Sequence, residues 1–259
     1  MWLKARDAIK QHILFQPRAP NNSDLLFPGV VKSKVSSEGD LKRYSHTFLG
    51  TVEHLSCFLG GLFALSSKVH TGNAAADDDL SVAAKLTQGC TWAYASTTSG
   101  IMPDTFDLAA CPNSKRDCPW DEKKSAAMRR PRDAPIVDLP PGMTYVERPE
   151  YLLRPEAIES VYIMYRVTGD SIWRERGWEM FTAIRRATRA PYGHSAIANV
   201  FDSPENTTQT DGMESFWLGE TLKYFYLLFE DPQVLSLDEW VFNTEAHSLR
   251  LGSEYAAFY

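Results

Sequence analysis

The segment Arg154-Pro155-Glu156-Ala157-Ile158-Glu159-Ser160 places two carboxylates three residues apart, directly behind an Arg-Pro pair. Positions three apart share one face of a helix, and proline is tolerated in a first turn, so Pro155 can open that helix. Glu156 and Glu159 then point the same way, with Arg154 at the helix mouth. Paired carboxylates beside a guanidinium suit acid–base chemistry or the binding of sugar hydroxyls. The plainer reading is a solvated helix start, where acidic residues complement the N-terminal dipole. A second group lies on a helix expected over 213–229, which also holds Glu214. There Phe216, Glu220 and Tyr224 are four apart and share a face. A carboxylate between two aromatic rings can bind a sugar, and core aromatics with an edge Glu are the plainer alternative. Lys223 can pair with Glu220 or another acid.

Asn243-Thr244-Glu245-Ala246-His247 offers hard oxygen donors apart from His247, which suits calcium better than a transition metal. His54 sits on an apolar segment beside Glu53 and Cys57, where a lone histidine reads more simply as a core residue than as a ligand. The six histidines include no pair at metal spacing and there is no Cys-x-x-Cys, so zinc is not expected. No GxSxG, Walker or Rossmann pattern is present.

The elements that must position these residues read as helices. Trp2, Ala5, Ile9 and Ile13 form an amphipathic stripe with no capping residue ahead of it. A helix without a start is expected of a truncated product or of a frayed terminus. Residues 15–45 read as loop, 54–66 as a buried, Gly-interrupted helix and 79–98 as a second helix carrying Cys90, Trp92 and Tyr94. Residues 107–150 are Pro-rich and read as irregular, either an insertion or partly disordered, long for a loop within one domain. The helix from Pro155 stops at Gly169. Asp170 or Ser171 can cap the next one, striped by Trp173, Gly177, Met180 and Ile184. Residues 191–210 read as loop, and 196–201 stands out among the few short strand-like pieces. The fold class expected is therefore all-α, helix hairpins joined by long irregular loops.

The bulk properties exclude several classes. The chain has 259 residues, 44% hydrophobic and 23% charged, an ordinary globular composition. A formal net charge of -6 leaves no basic field for nucleic acid. No run is apolar enough to span a bilayer, and Met-Trp-Leu-Lys-Ala-Arg-Asp lacks the apolar centre of a signal peptide. An even set of cysteines (Cys57, Cys90, Cys111, Cys118) and the sequons Asn21-Asn22-Ser23 and Asn206-Thr207-Thr208 nevertheless fit the secretory pathway.

Four phrases occur together in one order: Glu53-His54-Leu55-Ser56-Cys57-Phe58, then Leu153-Arg154-Pro155-Glu156 through Glu159-Ser160. Met213-Glu214-Ser215-Phe216-Trp217-Leu218-Gly219-Glu220-Thr221-Leu222-Lys223-Tyr224 and Val241-Phe242-Asn243-Thr244-Glu245-Ala246-His247 follow. With these the chain resembles the class I α-1,2-mannosidases, glycoside hydrolase family 47, over nearly its whole length except 107–150. The resemblance implies an (α/α)7 barrel with its active site in the bore. It implies inverting removal of terminal α-1,2-linked mannose from high-mannose N-glycans of glycoproteins in the endoplasmic reticulum, Golgi or secreted space. Glu156 would be the general base. Thr244 would bind Ca2+ directly, with waters linking the ion to Glu159, Glu220 and Glu245. Arg154 and His54 match pocket residues, Phe216 the aromatic under the mannose, and Cys57–Cys90 the family disulfide.

Departures accompany the match. The family's general acid and a further essential aspartate lie ahead of the stretch that Trp2 begins. The resemblance therefore implies an incomplete barrel, the C-terminal portion of one catalytic domain over 1–259, without a membrane anchor and with impaired activity. The alternative is a non-catalytic glycan-binding remnant that keeps the calcium site. Asp104 stands where the family commonly has Glu, one methylene longer. Cys111 and Cys118 fall outside the pattern, with pairing to each other one option.

Overall fold

A computed structural model describes residues 1–20, 25–38, 41–69, 74–111, 118–129 and 139–252. The sequon at Asn21 lies outside the described residues. In chain order the elements are α1 (Trp2–His12), β1 (Leu14–Phe15), β2 (Phe27–Pro28), β3 (Val30–Glu38), β4 (Leu41–Leu49), β5 (Thr51–Glu53), a 3₁₀ turn (His54–Phe58), α2 (Leu59–Val69) and α3 (Ala74–Ala95). There follow β6 (Thr105–Leu108), α4 (Glu122–Ala127), β7 (Met143–Arg148), α5 (Glu156–Thr168), α6 (Ile172–Thr188), β8 (Arg189–Ala190) and β9 (Gly193–His194). A π-helical turn (Trp217–Thr221), α7 (Leu222–Phe229), β10 (Trp240–Phe242) and β11 (Ser248–Arg250) complete the chain. It divides into two compact units, Met1–Glu53 with Thr105–Arg148, and His54–Asp104 with Pro149–Tyr259.

The first unit is built mainly of strands. β5, β6 and β7 form an antiparallel sheet in that order, with register shifts on both sides of Phe106 and Asp107. A phenylalanine cluster fills it: Phe15 lies 5.4 Å from Phe48 and 6.3 Å from Phe27, and Phe27 meets Phe106 edge-on. Gly50 permits the crossing, because a Cβ there would lie 2.3 Å from the Leu108 carbonyl. Helix α1 forms where the stripe predicts it, yet buries no residue. An apolar groove of about 840 Å³ runs beside it, lined among others by Ile9, Val31 and Phe48. Cys111 and Cys118 form a disulfide with Cα atoms 5.7 Å apart.

Three expectations need correction here. The nine-residue strands β3 and β4 pair from Val30↔Leu49 to Glu38↔Leu41, so the second half of 15–45 is a hairpin, not loop. Its described residues are exposed or half-exposed on both faces, so burial imposes no period-two alternation on the sequence. Residues 107–150 carry the end of β6, then α4 and β7, because Asp121 caps α4 by accepting from the Lys124 N–H and β7 pairs with β6. The chain is thus not all-α, although helices dominate its second unit.

That second unit packs α2, α3, α5, α6 and α7 on one another. Gly60 and Gly61 on α2 let it lie against α5, where Ser160 donates to the Cys57 carbonyl and accepts from the Gly61 N–H at 2.8 Å. Gly177 does the same for α6 against α7, since a Cβ would meet Leu228 at 2.2 Å. The α6 stripe of Trp173, Gly177, Met180 and Ile184 is buried throughout. Gly169 ends α5 in the left-handed conformation, and Asp170 Oδ1 accepts from the Ile172 N–H at the start of α6. Within 191–210, expected as loop, Ile197 bridges Tyr151 on one side and Gln209 on the other.

Candidate active site

The expected site residues fall in the second unit, and the structure joins His54, Glu156, Arg154 and Asp104 directly. Pro155 caps α5, whose first turn holds Glu156 and Glu159 as the spacing predicts. One residue ahead of Arg154, Leu153 is fully buried with φ 64. A left-handed leucine is strained backbone, and such strain concentrates where surrounding structure dictates an orientation. The Thr221 hydroxyl holds it by donating to the Leu153 carbonyl at 2.7 Å.

Glu156 is 8% exposed, and its Oε2 lies 3.0 Å from Nδ1 of His54. Arg154 Nη1 stands 4.0 Å from the other oxygen, Oε1. Burial opposes the charge on Glu156, but His54 and then Arg154 outweigh it and hold the carboxyl below its ordinary range. Arg154 Nε donates to buried Asp104 at 2.8 Å, so the aspartate that stands in the place of a glutamate orients the pocket arginine. His54 is as buried as its apolar surroundings suggest, with both ring nitrogens engaged: Nε2 lies 2.8 Å from the Tyr94 hydroxyl.

Glu159 and Glu220 behave differently. Burial first, then the charges of Glu156 and Glu220, push Glu159 up to about 8 despite a hydrogen bond from Tyr224. Burial, Glu245 and Glu156 push Glu220 up to about 7. The four carboxylates Glu156, Glu159, Glu220 and Glu245 therefore lie close enough to feel one another. Helix formation over 213–229 is shorter than expected. The π-helical turn begins at Trp217, and Glu214 is exposed ahead of it. Phe216 precedes that turn, half-exposed, while Glu220 and Tyr224 turn inward.

Thr244 and Glu245 are exposed on the loop of the β10–β11 hairpin. Asn243 Oδ1 accepts from the N–H groups of Glu245 and His247, at 3.0 and 2.8 Å, and so shapes that loop. Lys223, read as a partner for an acid, donates instead to the Ala246 carbonyl. Phe242 docks the hairpin against Tyr162 and Tyr224, with ring centroids 6.1 and 6.0 Å away.

Tyr94 and Tyr151 were not legible as site residues, yet a signal for Tyr94 existed. His54 and Cys57 are three apart in a 3₁₀ turn, where such residues eclipse. Cys90 and Tyr94 are four apart on α3. The Cys57–Cys90 disulfide, with Cα atoms 6.1 Å apart, brings these two pairs together.

The family model for glycosyl hydrolase family 47 matches residues 1–251. The chain belongs to glycosyl hydrolase family 47. It is 38% identical over 219 residues to the endoplasmic reticulum mannosyl-oligosaccharide 1,2-alpha-mannosidase of Homo sapiens, covering 84% of this chain and 27% of that protein. To mannosyl-oligosaccharide alpha-1,2-mannosidase IA of Spodoptera frugiperda it is 35% identical over 205 residues, 79% of this chain and 26% of the relative. The solved α-1,2-mannosidase from Trichoderma reesei superposes with TM-score 0.77 at 29% identity, over 97% of this chain and 46% of that one. This likeness supports the (α/α)7 fold that the family implies. The chain spans about a quarter of the length of the first two relatives.

The donors of this family 47 chain suit calcium. Glu159, Glu220, Glu245 and Thr244 offer hard oxygens, and the carboxylate repulsion that adds to burial in raising Glu159 and Glu220 is what a divalent cation relieves. Among the described residues no tight cluster of three His, Cys, Asp or Glu side chains forms a cage. No described helix is long and apolar enough to cross a membrane.

Proposed function

We propose that this chain carries the general base and the calcium site of an inverting α-1,2-mannosidase that trims high-mannose N-glycans of glycoproteins in the secretory pathway. The observation that carries the reading is Glu156: buried, held below the ordinary carboxylate range, with Oε2 bound to His54 and Oε1 facing Arg154. An inverting glycosidase needs one carboxylate to take a proton from the attacking water and one carboxylic acid to protonate the leaving oxygen. Glu156 fits the first role through Oε1. His54 fixes the carboxylate from behind and, with a smaller effect from Arg154, keeps it ionised, and Asp104 orients Arg154. Phe216, half-exposed, would offer its ring to a sugar.

Calcium, when bound through Thr244 with Glu159, Glu220 and Glu245 around it, would hold sugar hydroxyls and water and act as a Lewis acid. Catalysis by a positioned acid is worth roughly 10²–10⁴-fold, and no residue of 1–259 is assigned that role. Slow turnover is therefore proposed for residues 1–259 alone.

The test is mannose release from a high-mannose N-glycan with calcium present, following the anomer formed. Release should be slow, give β-mannose first, and vanish in Glu156→Gln. Release unchanged in Glu156→Gln would contradict the assignment. Glycan binding without release, retained in Glu156→Gln, would favour the binding remnant.

A further inference from the structure

Asn206-Thr207-Thr208 takes no part in the site around Glu156, and the fold treats its three side chains differently. Asn206 closes a turn in which its N–H donates to the Ser203 carbonyl at 2.8 Å. Thr207 is half-buried and faces inward. Its hydroxyl lies 3.0 Å from the Pro204 carbonyl and 3.3 Å from that of Ala187, in the last turn of α6. The Thr208 carbonyl accepts from the Ala198 N–H at 2.9 Å. The segment is thus held by its backbone and its middle residue, while Asn206 and Thr208 are exposed on either side.

Asparagines in turns ordinarily commit the side-chain amide to nearby backbone. Asn199 accepts from the Phe201 N–H and donates to Asp202, and Asn243 accepts from two loop N–H groups. Among the described residues, the Asn206 amide and the Thr208 hydroxyl make no hydrogen bond of this kind. An asparagine amide with a hydroxyl two residues on, and no proline between, is the acceptor pattern for N-linked glycan transfer. The compartment of that transfer is oxidising, and all four cysteines are paired, Cys57 with Cys90 and Cys111 with Cys118.

We propose that Asn206 carries an N-linked glycan. The donor is an oligosaccharide joined through C1 to a polyprenyl diphosphate. The bond from Asn206 Nδ2 to C1 forms as the C1–O bond to the diphosphate breaks. The polyprenyl diphosphate leaves with the bonding pair, and the amide nitrogen gives up one proton. Once the chain has folded, the glycan needs room and water, being bulky and hydrated. The exposed turn supplies both, beside the solvated ion pair of Arg186 and Glu205 at 2.9 Å. Glycan transfer shares the secretory compartment with the mannosidase reading, but requires neither Glu156 nor calcium.

The experiment sends the full chain into the secretory pathway of a eukaryotic cell behind an added, cleavable leader. Every variant also carries Asn21→Gln, so that Asn206 heads the one remaining sequon. Peptide:N-glycosidase in heavy-oxygen water converts a glycosylated asparagine into labelled aspartate, which peptide mass spectrometry locates. The label should fall on Asn206. It should vanish in Thr208→Ala, which leaves the asparagine in place, and be kept in Thr208→Ser. It should also be kept in Glu156→Gln, which should abolish mannose release. The Cys57–Cys90 linkage in the same material reports that the chain entered the oxidising compartment. An unlabelled Asn206 in disulfide-linked chain, or a label that survives Thr208→Ala, would overturn the proposal. Occupancy is read without any turnover, so failure of the mannosidase reading leaves this test standing.

Discussion

Glu156 is gripped by neighbouring side chains inside a helical core, whereas Thr244 stands exposed on a hairpin loop shaped by Asn243 and anchored by Phe242 and Lys223. Both belong to one proposed site, and they are stabilised by different physics. The buried part is fixed before any ligand arrives, because a charge taken out of water must be hydrogen-bonded to persist. The exposed part holds repelling carboxylates at its margin, and its order depends on whatever neutralises them. The base of such a site tolerates no loosening, while the cation end can load and unload.

The largest effect should come from the buried side. His54→Ala leaves the Tyr94 hydroxyl and the Glu156 carboxylate without a partner as well as a cavity, and should cost about 3 kcal/mol or more. Urea denaturation without calcium checks this; a loss below about 1 kcal/mol would mean that water replaces His54. Asn243→Ala strikes the exposed side. It removes the acceptor for two loop N–H groups, so stability without calcium should fall by only about 1 kcal/mol, while calcium affinity falls about tenfold. Equal loss of stability in the two variants would erase the distinction drawn here.

A smaller effect is expected at His194. Its Nδ1 lies 2.8 Å from the Thr188 hydroxyl and its ring 4.7 Å from Trp217, ahead of Glu220 on the π-helical turn. Burial, then Arg189 and Arg185, lower its pKa from the ordinary 6.5. As pH falls through that value the unfolded chain binds the proton first. Stability is therefore lost on acidification below 6.5, until the folded imidazole also protonates. The ring is partly solvated, so the loss should be small. Urea midpoints at neutral pH and at about pH 5.5 should fall further for wild type than for His194→Gln.

What the sequence revealed follows the same division. The first turn of α5, its Gly169 stop and the α6 stripe are legible because helix caps and burial write a local period. The β3–β4 hairpin is not, since a ribbon solvated on both faces imposes no apolar alternation. Tyr94 escaped because its role is set by a disulfide between distant segments rather than by spacing along one. Lys223 was read toward an acid because charge is visible in sequence, whereas the Ala246 carbonyl it meets is a product of tertiary structure. Glu156, Glu159 and Glu220 stand out by spacing and Thr244 by its oxygen donors and the family phrase, and the coupling among Glu156, Glu159, Glu220 and Glu245 became visible only in the fold.

The central claim is that the buried carboxylates and the exposed hairpin form one calcium site. Calorimetric titration of residues 1–259 with calcium, for wild type and for Thr244→Ala, tests it most directly. Thr244 is exposed, so its replacement should leave stability without calcium within about 0.5 kcal/mol of wild type. The account predicts one calcium bound by the wild type and none detectable in Thr244→Ala; equal binding by the two would contradict it.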